Sequence, residues 1–371
     1  MPPLSRFAYR HRTVGLLLLL IGVAALSGCS TPRHVMRYGV EGWRADQRPF
    51  WPTPPDKPRY SYAGLLIGWE NFPVLEEDKR DRGKQALVWL TGLDPDTGLG
   101  MREDESKGLQ RPQTGMVDEE GRILVTDSGQ NAVVVFDERN ATLSTWEQAT
   151  RREHFAAPVG IAAGPNGQIL VADAELKRVF RLNREGEPVG EFGAGVLKRP
   201  TGLARDPGRK VVYVADSEAD SVQVFGDDGV LRETIGSSGD QPGHFNGPTH
   251  LAFVRGRLYV TDTLNARVQI FDDQGKFVFA LGSRGLRIGD LVRPKGVTVD
   301  RDGNIYVIES FHDHLLVFDK EGHFLLPIGG TGKEIHQFYL PSGLWTDSRD
   351  RIFIADMFNG RIKILQFLGG F

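Results

Sequence analysis

An all-β architecture, a six-bladed β-propeller with four antiparallel strands per blade, is predicted by three features of the 371-residue chain. A short turn element recurs six times, as Pro112-Gln-Thr-Gly115, Pro158-Val-Gly160, Pro200-Thr-Gly202, Pro248-Thr-His250, Pro294-Lys-Gly296 and Pro341-Ser-Gly343. Each is followed by an apolar run that ends in an acid: Asp127, Asp173, Asp216, Asp262, Glu309 and Asp356, spaced 46, 43, 46, 47 and 47 residues apart. The composition agrees, because 45 glycines and 21 prolines suit many short strands joined by tight turns. Repeats at this regularity are one supersecondary unit copied along the chain, so the length does not imply two or three domains.

The elements can be taken in chain order. Arg6, Arg10 and Arg12 precede an apolar run from Val14 to Leu26, which is shorter than the roughly 20 residues a membrane-spanning helix needs. The run ends in Leu26-Ser27-Gly28-Cys29, and Cys29 is the one cysteine of the chain. A lone cysteine cannot form an internal disulfide, whereas its thiol can be alkylated by lipid. Residues 1–28 are therefore expected to be a signal peptide. Residues 29–58, with six prolines from Pro32 to Pro58 and no strand or helix period, are expected to form a tether behind the lipidated cysteine. Trp43, Phe50 and Trp51 are apolar for a linker and are expected to dock on the body. The propeller is expected to occupy 59–371. Within it, 69–107 interrupts the repeats: Leu75-Glu-Glu-Asp-Lys-Arg-Asp-Arg and Gln85-Ala-Leu-Val-Trp-Leu90 read as one amphipathic helix, a lid or a plug.

In each repeat the first strand follows the proline turn, as in Gly202-Leu-Ala. A turn such as Asp300-Arg-Asp-Gly303 leads to the second strand, which ends in the acid. A β-rich run such as Arg267-Val-Gln-Ile-Phe271 is the third, and Phe277-Val-Phe-Ala-Leu281 is a fourth. The sixth repeat stops after its third strand, Arg361-Ile-Lys-Ile-Leu365. Tyr60-Ser-Tyr-Ala-Gly-Leu-Leu-Ile-Gly68 resembles a fourth strand without a partner, so it is expected to complete the last blade and close the ring.

The segment Thr261-Asp-Thr-Leu-Asn-Ala-Arg-Val-Gln-Ile-Phe271 closely resembles the NHL-repeat pattern, and Ala355-Asp-Met-Phe-Asn-Gly-Arg-Ile362 does so nearly as well. With Cys29 in its lipobox-like setting, the chain resembles bacterial six-bladed NHL lipoproteins. The resemblance implies acylation of Cys29 and anchoring in the cell envelope, with Ser30 favouring the outer membrane and a body facing the periplasm. It also implies a binding face at the mouth of the central channel, where the loops after the second strands meet the connections between blades. Residues expected there are His250, Thr249 and Lys295 of the turn elements, Arg111, Arg199 and Arg293 before the turn prolines, and Asn265, His312, His314 and Asn359 of the post-acid loops.

His250 stands where the other five units place glycine; it either fills space or binds a ligand. The three arginines either solvate the rim or recognise carboxylate or phosphate. The recurring acids are expected to cap backbone N–H groups, since one per repeat marks structure. Peptidyl-hydroxyglycine lyases resemble this fold and hold zinc with channel histidines, but one histidine at the turn elements falls short of a converging metal set. No nucleotide loop, catalytic triad spacing or heme motif is present, and no cofactor is implied. The formal charge of −3, or −6 without residues 1–28, gives no case for nucleic acid. The expected function is that of a monomeric, non-catalytic binding or scaffold module for a protein or small ligand. The alternative is a metal-dependent lyase or lactone hydrolase acting in the channel.

Overall fold

The apolar runs of the repeats fold as strands, and the turns between them reverse the chain. The structure is a computed structural model that describes residues 34–75 and 108–369. The chain divides into two compact units. The larger is Val35–Pro73 with Gly100–Phe371. Of the smaller, His34, Val74 and Leu75 are described, and an antiparallel bridge joins His34 to Val74. The helix expected over residues 75–90 falls almost wholly outside the described residues. Among those residues, no helix is long and apolar enough to cross a membrane.

The larger unit begins with β1 (Phe50–Trp51) and β2 (Tyr60–Leu66). The first blade is β3 (Pro112–Val117), β4 (Ile123–Asp127), β5 (Ala132–Asp137) and β6 (Thr142–Trp146). The second is β7 (Pro158–Ala163), β8 (Ile169–Asp173), β9 (Arg178–Leu182) and β10 (Pro188–Phe192). The third is β11 (Pro200–Asp206), β12 (Val211–Asp216), β13 (Ser221–Gly226) and β14 (Leu231–Ile235). The fourth is β15 (Pro248–Val254), β16 (Arg257–Asp262), β17 (Arg267–Asp272) and β18 (Phe277–Leu281). The fifth is β19 (Pro294–Val299), β20 (Ile305–Glu309), β21 (His314–Phe318) and β22 (Phe324–Gly329). The sixth has β23 (Leu344–Thr346), β24 (Arg351–Asp356) and β25 (Arg361–Phe367). Every blade is an antiparallel meander, and the six first strands contact one another in a closed ring.

The predicted closure is present. Strand β2 pairs antiparallel with β25, Tyr60 opposite Phe367 and Leu66 opposite Ile362. Alternation explains the register: Tyr60, Tyr62, Gly64 and Leu66 are buried, while Ser61, Ala63 and Leu65 between them are half-exposed. Core clusters lie between neighbouring blades; Tyr60 and Tyr62, for example, pack with Ile308, Leu315 and Phe338 of the fifth blade and its connection to the sixth.

The tether expected over 29–58 differs from the structure in its described part. Met36 and Val40 are buried in the core, and β1 adds a fifth strand outside β2, with Trp51 opposite Tyr60. The Tyr38 hydroxyl lies 2.9 Å from a Glu138 carboxylate oxygen and accepts from Arg351 at 3.3 Å. Asn71 pins the far end of the clasp, donating through Nδ2 to the carbonyls of Arg37 and Leu65. A proline-rich composition disguised this segment because its few apolar residues are spaced too widely to show a period.

Candidate functional site

The six repeated acids organise the mouth of the channel. All are buried, and each collects N–H groups from the preceding blade connection and from its own turn. Asp127 accepts from the backbone N–H of Gln110, Arg111, Gly129 and Gln130. Asp262 accepts from Asn246 N–H and from the side chains of Asn265, Arg267 and Gln269. Glu309 holds Arg293 N–H, His312 N–H and the His312 ring. These carboxylates are spent on local structure, as the sequence reading expects.

The turn elements line the throat. The pairing of β15 with β16 jumps from Pro248–Asp262 to Leu251–Val260, which leaves Thr249 and His250 in a bulge. The same shift occurs at Lys295 and Gly296. Bulges re-aim side chains, and here they turn residues out of the ladder at its inner end. Glycine in this element reflects close approach of neighbouring first strands. A Cβ on Gly202 would lie 2.7 Å from His250 Cα and 2.8 Å from Leu251 N.

A cavity of about 250 Å³ follows the first strands, lined by Gly160, Gly202, His250, Thr298, Trp345 and Thr346 among others. His250 is 7% exposed, and neither ring nitrogen has a hydrogen-bond partner. Burial, with a smaller contribution from Lys295, pushes its pKa down to about 3. The ring is therefore neutral at ordinary pH and presents one donor and one acceptor. The indole Nε1–H of Trp345 in the same cavity is also buried without a partner. Trp345 escapes a sequence search because it follows its turn element as an ordinary core aromatic.

Lys295 is half-buried, and its pKa is lowered first by desolvation and then by Arg293 and Arg199. Both charged groups acting on it are thus cations. Arg199 and Arg293 are exposed, and their backbone N–H groups are held by Asp216 and Glu309. Thr249 shares a 2.7 Å hydrogen bond with Thr263. Lys295 thus lies within electrostatic reach of His250, Arg199 and Arg293, but none of the three cations lines the cavity beside His250. Arg111 stands on the first blade and is not among the charges acting on Lys295 or His250.

Other candidates lie apart or are occupied. The Asn265 amide donates to Gly239 O and Asp262, and the Asn359 amide to Gly332 O and Asp356, so both N–H groups serve their own loops. His312 and His314 line a separate cavity of about 60 Å³ with Glu309 and Asp290. Burial is the main cause that lowers the His314 pKa, followed by His312. Among the described residues, the one metal-capable cluster is Asp319, Glu321 and His323, in the turn between β21 and β22, largely exposed and away from the channel lining.

The rim carries a pattern that reading the repeats for their acids alone passes over. Two residues after the repeated acid stand Gly129, Glu175 and Glu218 on the first three blades, then Leu264, Phe311 and Phe358 on the last three. The last three are 58%, 54% and 52% exposed. Tyr339 packs edge-on against Phe358, with ring centroids 5.6 Å apart. Half of the mouth is apolar.

Comparison with known proteins agrees with this fold. Residues 244–312 match the family model DUF5128, described as a 6-bladed beta-propeller. Human NHL-repeat-containing protein 4 is 32% identical over 71 residues, which is 19% of this chain and 56% of that protein. Among solved structures, an auxiliary nutrient binding protein from Bacteroides thetaiotaomicron is similar at 13% identity and a TM-score of 0.57, over 72% of this chain and 71% of its own. A gluconolactonase from Xanthomonas campestris is similar at 19% identity and a TM-score of 0.54, over 70% of this chain and 86% of its own. At these identities the likeness concerns the fold. Together with the repeats read above, the matches support an NHL-type six-bladed β-propeller.

Proposed function

We propose that this protein is a lipid-anchored binding module of the bacterial cell envelope, acting without catalysis, that takes a small ligand at the mouth of its central channel. The observation that supports a binding role is His250: a buried, neutral imidazole that lines a cavity of about 250 Å³ and whose two ring nitrogens have no partner. Leaving such groups unpaired costs about 1–3 kcal/mol, a cost a ligand would relieve. Catalysis has less support, because no second histidine or carboxylate lines that cavity with His250 among the described residues. The anchor rests on Leu26-Ser27-Gly28-Cys29.

The test exposes purified protein to small-molecule envelope extracts and follows bound compounds by native mass spectrometry. A retained compound that His250→Gly loses, with the fold intact by circular dichroism, is the expected result. Retention unaffected by that substitution would sink the reading. A stoichiometric metal ion in the purified protein would replace it with the alternative of a lyase or lactone hydrolase. Cys29→Ser should abolish processing to an acylated N-terminus; an unmodified mature N-terminus in the wild type would refute the anchor.

A further inference from the structure

The seams between blades correspond position by position, and one of them is incomplete. Three residues before the repeated acid, the third, fourth and sixth blades carry the rings Tyr213, Tyr259 and Phe353. Each packs toward the first strand of the next blade. Between blades three and four, Tyr213 stacks on Phe253 with ring centroids 5.6 Å apart. The register places Val299 and Val117 at the position of Phe253 in the fifth and first blades. The other two seams therefore lack that second ring.

Between blades six and one the chain supplies a ring itself. Tyr38 of the N-terminal segment packs with the cluster that holds Phe353 and Val117. The Arg351 guanidinium lies over the rings of Tyr38 and Phe353, 5.7 and 5.0 Å from their centroids. The Tyr38 hydroxyl reaches Glu138, eleven residues after the acid of the first blade. On the fourth blade that position is Asp273, whose carbonyl accepts from Arg209 of the third. Each of these two seams thus has a second ring and an acid in the turn beside it.

The seam of blades four and five has neither. A groove of about 510 Å³ opens there, at the end of the blades away from the repeated acids. Tyr259, Phe279 and Val299 form its apolar walls, and no residue of the N-terminal segment lines it among the described residues. Where the other seams have Asp273 and Glu138, this one has Lys320. Arg255 and Arg257 line the groove as well and make no ion pair among the described residues. Arg255 reaches across the seam: a Cβ on Gly303 would lie 4.0 Å from its Nη1 and 3.3 Å from Lys320 Cβ. The two acids at the groove have neighbours of their own, Asp302 with Arg301 at 4.0 Å and Glu321 with Lys320 at 3.7 Å. Both arginines are left uncompensated, and what the seam lacks is a ring and a negative charge.

We infer that this groove is a second binding site, separate from the channel mouth, for a small aromatic carboxylate whose ring lies beside Tyr259 over Val299 and whose carboxylate meets Arg255 and Arg257. The site does not depend on His250. Tyr259 and Phe279 offer ring faces and edges to the aromatic part. A guanidinium pairs with a carboxylate through two parallel hydrogen bonds, which ranks a carboxylate above a hydroxyl or an amide.

The experiment is isothermal titration calorimetry on the full chain in phosphatidylcholine nanodiscs, with empty nanodiscs subtracted and sodium chloride holding ionic strength constant. The probes are sodium benzoate, sodium acetate and neutral benzyl alcohol. Benzoate should bind saturably, and the other two should each bind roughly 10-fold or more weaker, having lost the ring or the charge. Lys320→Asp restores at an exposed position the acid of the other seams and should weaken benzoate by roughly 10-fold or more. Arg257→Met should do the same by removing a charged partner. Val299→Phe supplies the ring that Phe253 provides one seam earlier and should abolish benzoate binding, with the fold intact by circular dichroism. If the larger side chain unfolds the seam, the two variants at exposed residues still decide. His250→Gly should leave benzoate binding unchanged, so this site and the one at the mouth fail separately. Absence of saturable benzoate binding, equal affinity for benzoate and benzyl alcohol, or indifference to both Lys320→Asp and Arg257→Met overturns the inference. A dimer that Val299→Phe dissolves, seen by sedimentation velocity without benzoate binding, would make a second copy the occupant and overturn it as well.

Discussion

Tyr60 is the residue on which closure of the ring can be measured. It is fully buried, its ring packs edge-on against Tyr306 at 6.1 Å and tilted against Phe367 at 5.5 Å, and its hydroxyl lies 3.2 Å from that of Tyr306. The Tyr306 hydroxyl in turn donates to Asp300 at 2.7 Å. Tyr60→Ala removes a large aromatic from between two blades, and such truncations cost about 3–5 kcal/mol. For a body of roughly 300 residues the unfolding entropy is about 0.6 kcal/mol per degree, so the melting temperature should fall by about 6 °C. Trp43 is the control: its ring is 6.2 Å from Tyr62 but 37% exposed, and Trp43→Ala should cost about 1 kcal/mol or less. Urea unfolding followed by far-ultraviolet circular dichroism measures both. Equal midpoints for the two variants would show that the β2–β25 seam does not govern stability, and the argument for closure by the clasp would fall.

Further expectations concern the throat, the acids and the N-terminal segment. The His250 imidazole takes a proton near 6.5 when unfolded and near 3 when folded, so the unfolded state binds the extra proton between those values and stability falls as pH drops through that window. Between pH 7 and 4.5 the wild type should lose about 3 kcal/mol more than His250→Gly; parallel urea curves at the two pH values would contradict this. Asp262→Ala strips a buried carboxylate from Arg267, Asn265 and Gln269 and should cost about 3–5 kcal/mol, read as an earlier thermal transition. Gly202→Ala forces a methyl group against the backbone of His250 and Leu251 and should destabilise by about 1–3 kcal/mol; an unchanged melting point would mean the first strands are free to part. Removing residues 35–57 should lower stability measurably, since Met36 and Val40 are core residues; a neutral truncation would restore the tether reading.

The strands were legible because alternation and turn chemistry repeat six times, so an ambiguity in one unit is resolved by the others. The clasp was legible for a related reason: the sixth repeat lacks a strand, and Tyr60-Ser-Tyr-Ala-Gly-Leu-Leu has no other partner. The packing of Met36 and Val40 was not, because a segment held by scattered contacts with other elements carries no period of its own. At the mouth, the arginines and Lys295 could be placed from the repeat, while their lack of counter-ions depends on where every acid points. Asn265 and Asn359 fall in the right loops but face inward, each filling the turn behind its own aspartate. Aligning the repeats two residues past the acid would have disclosed the apolar half of the rim; Trp345 required the structure, because an unpaired indole N–H is a property of its surroundings.

The seam between Tyr60–Leu66 and Arg361–Phe367 joins a stretch made before the first blade to one made after the fifth. While the ribosome is still adding the sixth blade, β2 has no site to occupy, and the edge of the growing array stays open. Each blade can form as it emerges, but the cooperative whole must wait for the final strand. A polypeptide released early, short of Arg361 by even one strand, would carry two unsatisfied edges and no means of joining them. Such a product would be exposed to proteases and to sticking edge to edge, so the arrangement itself sorts finished molecules from unfinished ones.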